Sequence, residues 1–370
     1  MEGFHYNARV ILADGKNEKI GILVNQRRSL EVLAYNEANG WFEPGLITGW
    51  RKEGPASSFL QFTVAANEGS GRHHFGSSPD QLLLTEQGYL PAKMLQPGDQ
   101  LTTAVKHYLS SEHQSIVYGS MLGDGNLRRV GDYNTQLRIG HGREQIAYCR
   151  WKETQFNDLI GSSGSNSKGG HGFDTIPMHE LTRLITHGYD QRGKSPSQWL
   201  INQLDPLAIA IWYLDDGTVH REPQRNDRSS ICCTSFPRTQ RDAAAAWFHQ
   251  RGIDAFSDSR GHITFNVRAT KRFQAMIAPY VHPSMDYKLM SEFRGRFEPF
   301  ALQPQRTFKA VAMPIISIHP KPPTKGMYRF ALEVEGGASY LVDNIIAESA
   351  AAPLQLRMAV RETRAPYAAC

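Results

Sequence analysis

The sequence predicts an α+β protein in which two strand-rich flanks enclose a helix-rich middle. Three observations carry this. The chain has 370 residues, more than one ordinary domain needs and enough for two or three. Its hydrophobic periodicity changes from strand-like to helix-like near residue 108 and back again beyond residue 300. The middle also contains an internal repeat, the mark of a duplicated unit. Hydrophobic residues make up 40% and charged residues 21%, the balance of a folded chain rather than a disordered one. The formal net charge of +5 is compatible with a nucleic-acid partner but does not by itself indicate one.

In chain order, residues 1–107 read as short strands and turns. Arg9 to Gly15 is a strand closing on an Asp-Gly turn, Phe59 to Ala66 is a second strand, and Gln81 to Thr85 with Gln87 to Leu90 forms a hairpin. The middle offers helices at Ser115 to Leu122, Glu144 to Leu159, Met178 to Thr186, Leu204 to Leu214, Thr239 to Gln250 and Thr270 to Ala278. Thr135 to Ile139 and His262 to Val267 alternate like strands, and the Gly/Ser-rich stretch from Gly161 to Gly172 reads as a mobile loop. His319-Pro320-Lys321-Pro322-Pro323 cannot continue a helix or a central strand. Strand character returns at Tyr328 to Val334 and Ser339 to Ile346, and residues 350–370 read as a tail.

The four cysteines, Cys149, Cys232, Cys233 and Cys370, have no CxxC spacing, so neither a zinc module nor a disulfide scaffold is expected. No apolar run approaches the ~18–20 residues that span a membrane. The first residues lack the basic-then-apolar form of a signal peptide. These features predict a soluble, cytoplasmic protein of prokaryotic or phage-like kind, and the Met1 start fits a free-standing chain.

The repeat carries the chemistry. One apolar helix ends in Met121-Leu122-Gly123-Asp124-Gly125 and another in Tyr213-Leu214-Asp215-Asp216-Gly217. With Asp124 aligned on Asp216, helix starts fall near Arg143 and Arg238, strand-to-helix junctions at Pro177 and Ala269, and lysines at Lys194 and Lys288. Gly119 and Gly123 leave one face of the first helix bare, so a second helix can approach closely. Both aspartates then sit at helix C-termini, where the macrodipole is already negative. Two such carboxylates side by side call for a cation. Hard oxygen ligands beside a phosphate-bearing substrate suit Mg²⁺ (or Mn²⁺), and the pair suits metal-assisted phosphodiester hydrolysis.

At these residues the sequence resembles the LAGLIDADG homing endonucleases. Val117-Tyr118-Gly119-Ser120-Met121-Leu122-Gly123-Asp124-Gly125 is similar to the first signature helix, and Ile209-Ala210-Ile211-Trp212-Tyr213-Leu214-Asp215-Asp216-Gly217 to the second. Asn202 to Ala208 and Met285 to Leu289 fit as well. The resemblance covers residues 108–300, with halves at about 108–195 and 204–300. It implies a pseudo-twofold αββαββα nuclease that sits like a saddle on double-stranded DNA, as a monomer, at a long specific site. It implies Asp124 and Asp216 as catalytic metal ligands, the backbone carbonyls of Gly123 and Asp215 helping to complete the metal shell, and Lys194 and Lys288 as catalytic basic residues near the scissile phosphates, polarising water or stabilising charge. Ile211 departs from the family, which usually has Gly there.

Saddle strands alternate polar DNA-facing and apolar core-facing residues. On that pattern Gln136 and Arg138 on one strand, and His262, Thr264, Asn266 and Arg268 on another, are candidate base readers. Arg128, Arg129, Arg221, Arg225 and Arg228 follow the signature helices and suit phosphate contacts.

The flanks, 1–107 and 307–349, resemble the two halves of an all-β intein splicing (Hint) domain into which the nuclease is inserted. Ala8 to Val24 and Phe75 to Leu101 are similar to the first two intein blocks, and Tyr328 to Glu335 with Ser339 to Ile346 to the last two. The splicing residues are absent. Gly3 stands where the resemblance expects a Cys or Ser nucleophile, Gln81 where it expects a His, and Glu348-Ser349 where it expects His-Asn. The sequence thus predicts a site-specific, Mg²⁺-dependent DNA endonuclease that no longer splices. The rivals are a catalytically silent DNA-binding regulator or RNA maturase on the same fold, and an active autoprocessing protein.

Overall fold

The computed structural model describes residues 2–55, 58–67, 71–165, 169–221, 227–300, 308–322 and 327–350. The chain divides into two compact units, one running from Tyr108 to Pro304 and the other formed by the residues before and after it. Among the described residues no helix is long and apolar enough to cross a membrane.

The first unit is built twice over. Its first half runs α1 (Ser111–Leu122), β1 (Asn126–Val130), β2 (Asn134–His141), α2 (Ile146–Phe156), β3 (Ile160–Ser165), β4 (His171–Thr175) and α3 (His179–Gly188). The second half repeats this order as α4 (Pro206–Asp216), β5 (Gly217–His220), β6 (Arg228–Cys232), α5 (Arg238–Gln250), β7 (Ala255–Ser257), β8 (His262–Phe265) and α6 (Val267–Ile277). Each half has one antiparallel four-stranded sheet. The strand orders, β1-β2-β4-β3 and β5-β6-β8-β7, are the same.

The axis of the duplication is the packing of α1 on α4. Every residue from Leu207 to Asp215 is buried, so α4 is apolar all round, as a helix inside a core must be. Ser110 caps α1 by accepting the His113 N–H, and Asp205 caps α4 by accepting the Ala208 N–H at 2.7 Å, with Pro206 in the first turn. The second carboxylate oxygen of Asp205 also accepts the Ser115 hydroxyl at 2.7 Å, which ties the two helix starts together. Further along, a Cβ on Gly119 would overlap the Ala208 carbonyl oxygen and the Ile211 side chain, and a Cβ on Gly123 would overlap Asp215. The departure at Ile211 is therefore complementary: α1 supplies two gaps, and the pseudo-equivalent residues of α4 fill them.

The Gly/Ser-rich stretch expected to be a loop holds most of β3 and the start of β4, which pair with each other. Backbone pairing needs no side chains, and Gly161 lies so close to the Thr175 carbonyl that a Cβ there would meet it at 3.0 Å.

Among the described residues, the second unit is all-β apart from one short helix, Ile20–Asn25, and a few single turns. Its strands form one extensive antiparallel network. The proline-bearing segment, expected to continue neither a helix nor a central strand, is the end of a long strand, Lys309–Lys321, with Pro320 opposite Leu60. That strand pairs with Gln100–Val105 over its first half and with Phe59–Ala65 over its second. Each half has one neighbour, so a proline can turn its missing N–H to the unpaired side. Ser339–Val342 and Ile345–Ala347 form a hairpin, turned by Asp343 and Asn344 at φ 49° and 60°.

Candidate active site

The two acids come to the same end of the α1–α4 seam, because each closes its own helix. Asp216 is the last residue of α4, and Asp124 follows the Gly123 cap of α1. Burial, then the charges of Asp124 and Asp215, push the Asp216 carboxyl up to about 7, against the pull of Lys194 and Lys288. Burial acts the same way on Asp124. There, however, a hydrogen bond and the charge of His141, with Lys152 and Lys194 beyond, outweigh it and hold the group below its usual value.

Each lysine of the repeat reaches the backbone beside its own acid. The Lys194 ammonium donates to the Gly123 carbonyl, and Lys288 donates to the carbonyls of Leu214 at 2.6 Å and Asp215 at 3.3 Å. Burial lowers both lysine pKa values, opposed by the three aspartates. The carbonyls of Gly123 and Asp215, expected to face a metal, accept from lysines here. Lys194 is carried on a hairpin, Tyr189–Asp190 paired with Gly193–Lys194. Lys288 is held by its own carbonyl, which accepts the Tyr213 hydroxyl at 2.8 Å. The octapeptide Gly188 to Ser195 has the spacing of a phosphate-binding P-loop. It leaves a helix and enters this hairpin rather than joining a strand to a helix, so it is not one.

The group of three metal-capable side chains that the structure brings together among the described residues does not include Asp216. Among the described residues, one ligand atom each of Asp124, His141 and Asp215 lies within 4.8 Å of the others. His141 Nδ1 stands 3.3 Å from Asp124, and its Nε2 3.7 Å from Asp215. The Asp215 carboxylate is already matched: Lys152 Nζ lies 2.9 Å away, and the Tyr148 hydroxyl donates to it at 3.0 Å. Lys152 is wholly buried, where a charge persists only if paired. Sequence reading missed His141, Tyr148 and Lys152. The available signal was helix spacing: Tyr148, Lys152 and Phe156 follow one another at i, i+4 and i+8 on the buried face of α2.

The predicted DNA readers separate into three groups. Gln136, Arg138, His262 and Thr264 lie on sheet faces, with Arg128 and Gln136 directly paired and Thr264 opposite Phe256. Arg138 is bound bidentately by Asp174 at 2.8 and 2.9 Å. Arg128, Arg129 and Arg228 are exposed. A second group departs from the prediction. β8 ends at Phe265, so Asn266 is no strand residue; it caps α6 by accepting the Ala269 N–H, and Arg268 belongs to that helix. Arg221 donates to the carbonyls of Tyr287 and Leu289 at 2.8 and 2.7 Å and so braces the Lys288 segment. Arg225 lies outside the described residues.

In the other unit, the positions that the splicing resemblance singles out do converge. The Gly3 carbonyl accepts the Ser78 N–H at 2.9 Å, Gln81 donates to the Glu348 carbonyl at 3.4 Å, and Ser349 Oγ accepts the Val334 N–H at 3.1 Å. Gln81, Glu348 and Ser349 are all buried.

Comparison with known proteins adds the following. Residues 114–272 match the LAGLIDADG DNA endonuclease family. Over 364 residues the chain is 35% identical to a protein of Mycobacterium shimoidei named Protein RecA, covering 93% of this chain and 86% of that one. A protein of the same name from Mycolicibacterium chitae is 36% identical over 365 residues, covering 94% and 86%. A cytochrome b mRNA maturase of Debaryomyces hansenii is 25% identical over 134 residues, covering 30% of this chain and 47% of that one. Among solved structures, the homing endonuclease I-WcaI bound to its DNA recognition sequence aligns at 17% identity and TM-score 0.44, covering 50% and 88%. A DnaB intein from Synechocystis aligns at 16% identity and TM-score 0.25, covering 28% and 69%.

Proposed function

The chain belongs to the LAGLIDADG DNA endonuclease family and carries an intein-like domain, and from that premise we propose that it is a site-specific, divalent-metal-dependent double-strand DNA endonuclease that does not splice. One observation carries the reading. Two acids from two halves meet at one helix seam, and the charge of Asp124 helps to lift Asp216 to about 7. Such a concentration of negative charge suits a hard cation.

Asp124 and Asp216 are the residues that would hold Mg²⁺ or Mn²⁺. Asp215 is less suited, because its carboxylate is already neutralised by Lys152. A bound cation supplies the Lewis acidity that activates water and stabilises the leaving oxygen. The protein's own groups do the rest. Lys194 and Lys288 place one ammonium in each half beside the acid, where a scissile phosphate brings negative charge. His141 lies within reach of Asp124 to hold or move a proton. The two sheet faces differ in their side chains, which fits a long asymmetric DNA site read by a monomer.

Loss of splicing rests on Gly3 as well as on the missing side chains. Gly3 has φ +139°, and a Cβ there would meet Arg329 Cβ at 3.0 Å and the Phe330 carbonyl at 3.1 Å. A nucleophile at this position is opposed by backbone conformation and by space alike.

The test is cleavage of a randomised DNA library and of fragments from the source genome, with Mg²⁺ and with chelator. Discrete, metal-dependent double-strand cuts are expected, and their absence on every substrate sinks the reading. The match to a maturase favours a second one, binding without cutting. Asp124→Asn separates the two: a nuclease loses cleavage and keeps binding, whereas a pure binder is unchanged.

A further inference from the structure

The seam between the halves is unequal just beside the acids. The residue preceding the acid is Gly123 in one half and Asp215 in the other. Asp215 does not stay within its own half. Its Oδ2 accepts the backbone N–H of Asp124 at 3.0 Å, while its Oδ1 is gripped by Lys152 and Tyr148 from α2. The N–H of Asp124 thus ends on a carboxylate from the opposite half, and that carboxylate is clamped by a buried ammonium. Among the described residues the second half has no counterpart. Strand register places Ile231 beside Gly217, as Ile139 stands beside Gly125 in the extension of its own ladder. By that equivalence Cys233 replaces His141. Helix spacing to the buried Phe156 and Phe248 sets Ala244 where Lys152 stands.

We propose that the buried Asp215–Lys152 pair is a positioning device that fixes the backbone of Asp124, so that one of the two metal-binding acids is held rigidly from across the seam and the other is not. This rests on the nuclease reading for its consequence, unequal handling of the two strands, but not for its geometry. A hydrogen bond to an ionised acceptor is about twice as strong as a neutral one. A bond anchored by a buried ion pair also leaves the acceptor little freedom to turn away. The pair is a poor source of stability, because burying both charges offsets most of their attraction. Orienting Asp124 is a role consistent with its retention.

The experiment compares two double variants of the full chain. Asp215→Asn/Lys152→Met removes both charges but keeps an oxygen able to accept the Asp124 N–H. Asp215→Ala/Lys152→Met removes the acceptor as well. Amide hydrogen exchange at Asp124 is read by NMR or by fragmentation mass spectrometry, and plasmid cutting is followed from supercoiled through nicked to linear forms. The asparagine variant, which keeps an acceptor but loses its clamp, is expected to exchange Asp124 between threefold and tenfold faster than wild type and to retain at least a tenth of the cutting rate. The alanine variant is expected to exchange Asp124 at least tenfold faster, to bind DNA within threefold of wild type, and to accumulate nicked plasmid while linear product falls at least tenfold. Equal behaviour of the two variants, or unchanged Asp124 exchange in the alanine variant, overturns the proposal. If the alanine variant does not fold, Lys152→Met alone, which keeps the acceptor but unclamps it, must exchange Asp124 at least threefold faster than wild type or the proposal falls. If wild type cuts no DNA, the nuclease reading fails, while exchange still decides the positioning role.

Discussion

The two halves of the duplicated unit share an order of elements and a strand order, yet their acids sit in different company. Asp124 has His141 at 3.3 Å and an Asp215 carboxylate on its backbone N–H. Asp216 faces Cys233, whose thiol is raised well above its usual value by burial and by the Asp216 charge. The helices differ in the same sense, since α1 contributes the gaps Gly119 and Gly123 and α4 contributes the Ile211 and Asp215 that fill them. Duplication has preserved the backbone, and the side chains have diverged into complementary partners.

The largest effect should break this comparison outright. Either Asp124→Asn or Asp216→Asn should remove several kcal/mol of transition-state stabilisation, on the order of 10³ in cleavage rate, with DNA affinity in gel-shift assays retained. If one variant cut normally, the two acids would not be joint ligands. Next come the gaps. Gly119→Ala drives a methyl into the Ala208 backbone oxygen, which cannot rotate away, and should cost about 1–3 kcal/mol in chemical denaturation. The reciprocal change Ile211→Gly should not rescue it, because the backbone clash remains.

Titration sharpens the comparison further. The Asp216 pKa is raised from 3.8 to about 7, so in the window between those values the folded state binds the extra proton. Without metal, stability from this group is therefore highest below about pH 4 and falls as pH rises to about 7. The loss is on the order of 4 kcal/mol at about 1.4 kcal/mol per unit. Asp216→Asn should flatten that slope in thermal melts with chelator present, and Mg²⁺ should stabilise wild type more at pH 8 than at pH 5. Asp124→Asn should flatten it in part, because the Asp124 charge helps to lift Asp216. The smallest effects belong to the sheet faces. Thr264→Ala and Gln136→Ala should each relax selection at one or two base pairs by about 1–3 kcal/mol. Arg138→Ala should cost less, since its guanidinium is already engaged by Asp174.

The duplicated helices and their acids were legible in the sequence because two Asp-Gly endings on apolar helices, with elements in register behind them, make a long-range pattern. Lys152 was not, because a lysine in a helix normally points to water, and only the spacing between Tyr148 and Phe156 marks it as buried. Asn266 misled for a local reason. Polar residues suit the outer face of a strand and the cap of a helix equally, and alternation cannot say which of the two begins after Phe265. Pro320 was legible as excluded from a central strand, since a proline forbids a two-sided strand but not the one-sided one it ends.

The backbone at Gly3 has an evolutionary consequence. On the proposed loss of splicing, restoring Cys, His and Asn at the three sites should leave the reaction centre incomplete, because the first of these residues would have to adopt φ +139° against Arg329 and Phe330. Reversal would require the amino-terminal segment and the strand beneath it to move before any nucleophile could be selected. Point mutation alone offers no smooth path back, so the change behaves as a ratchet.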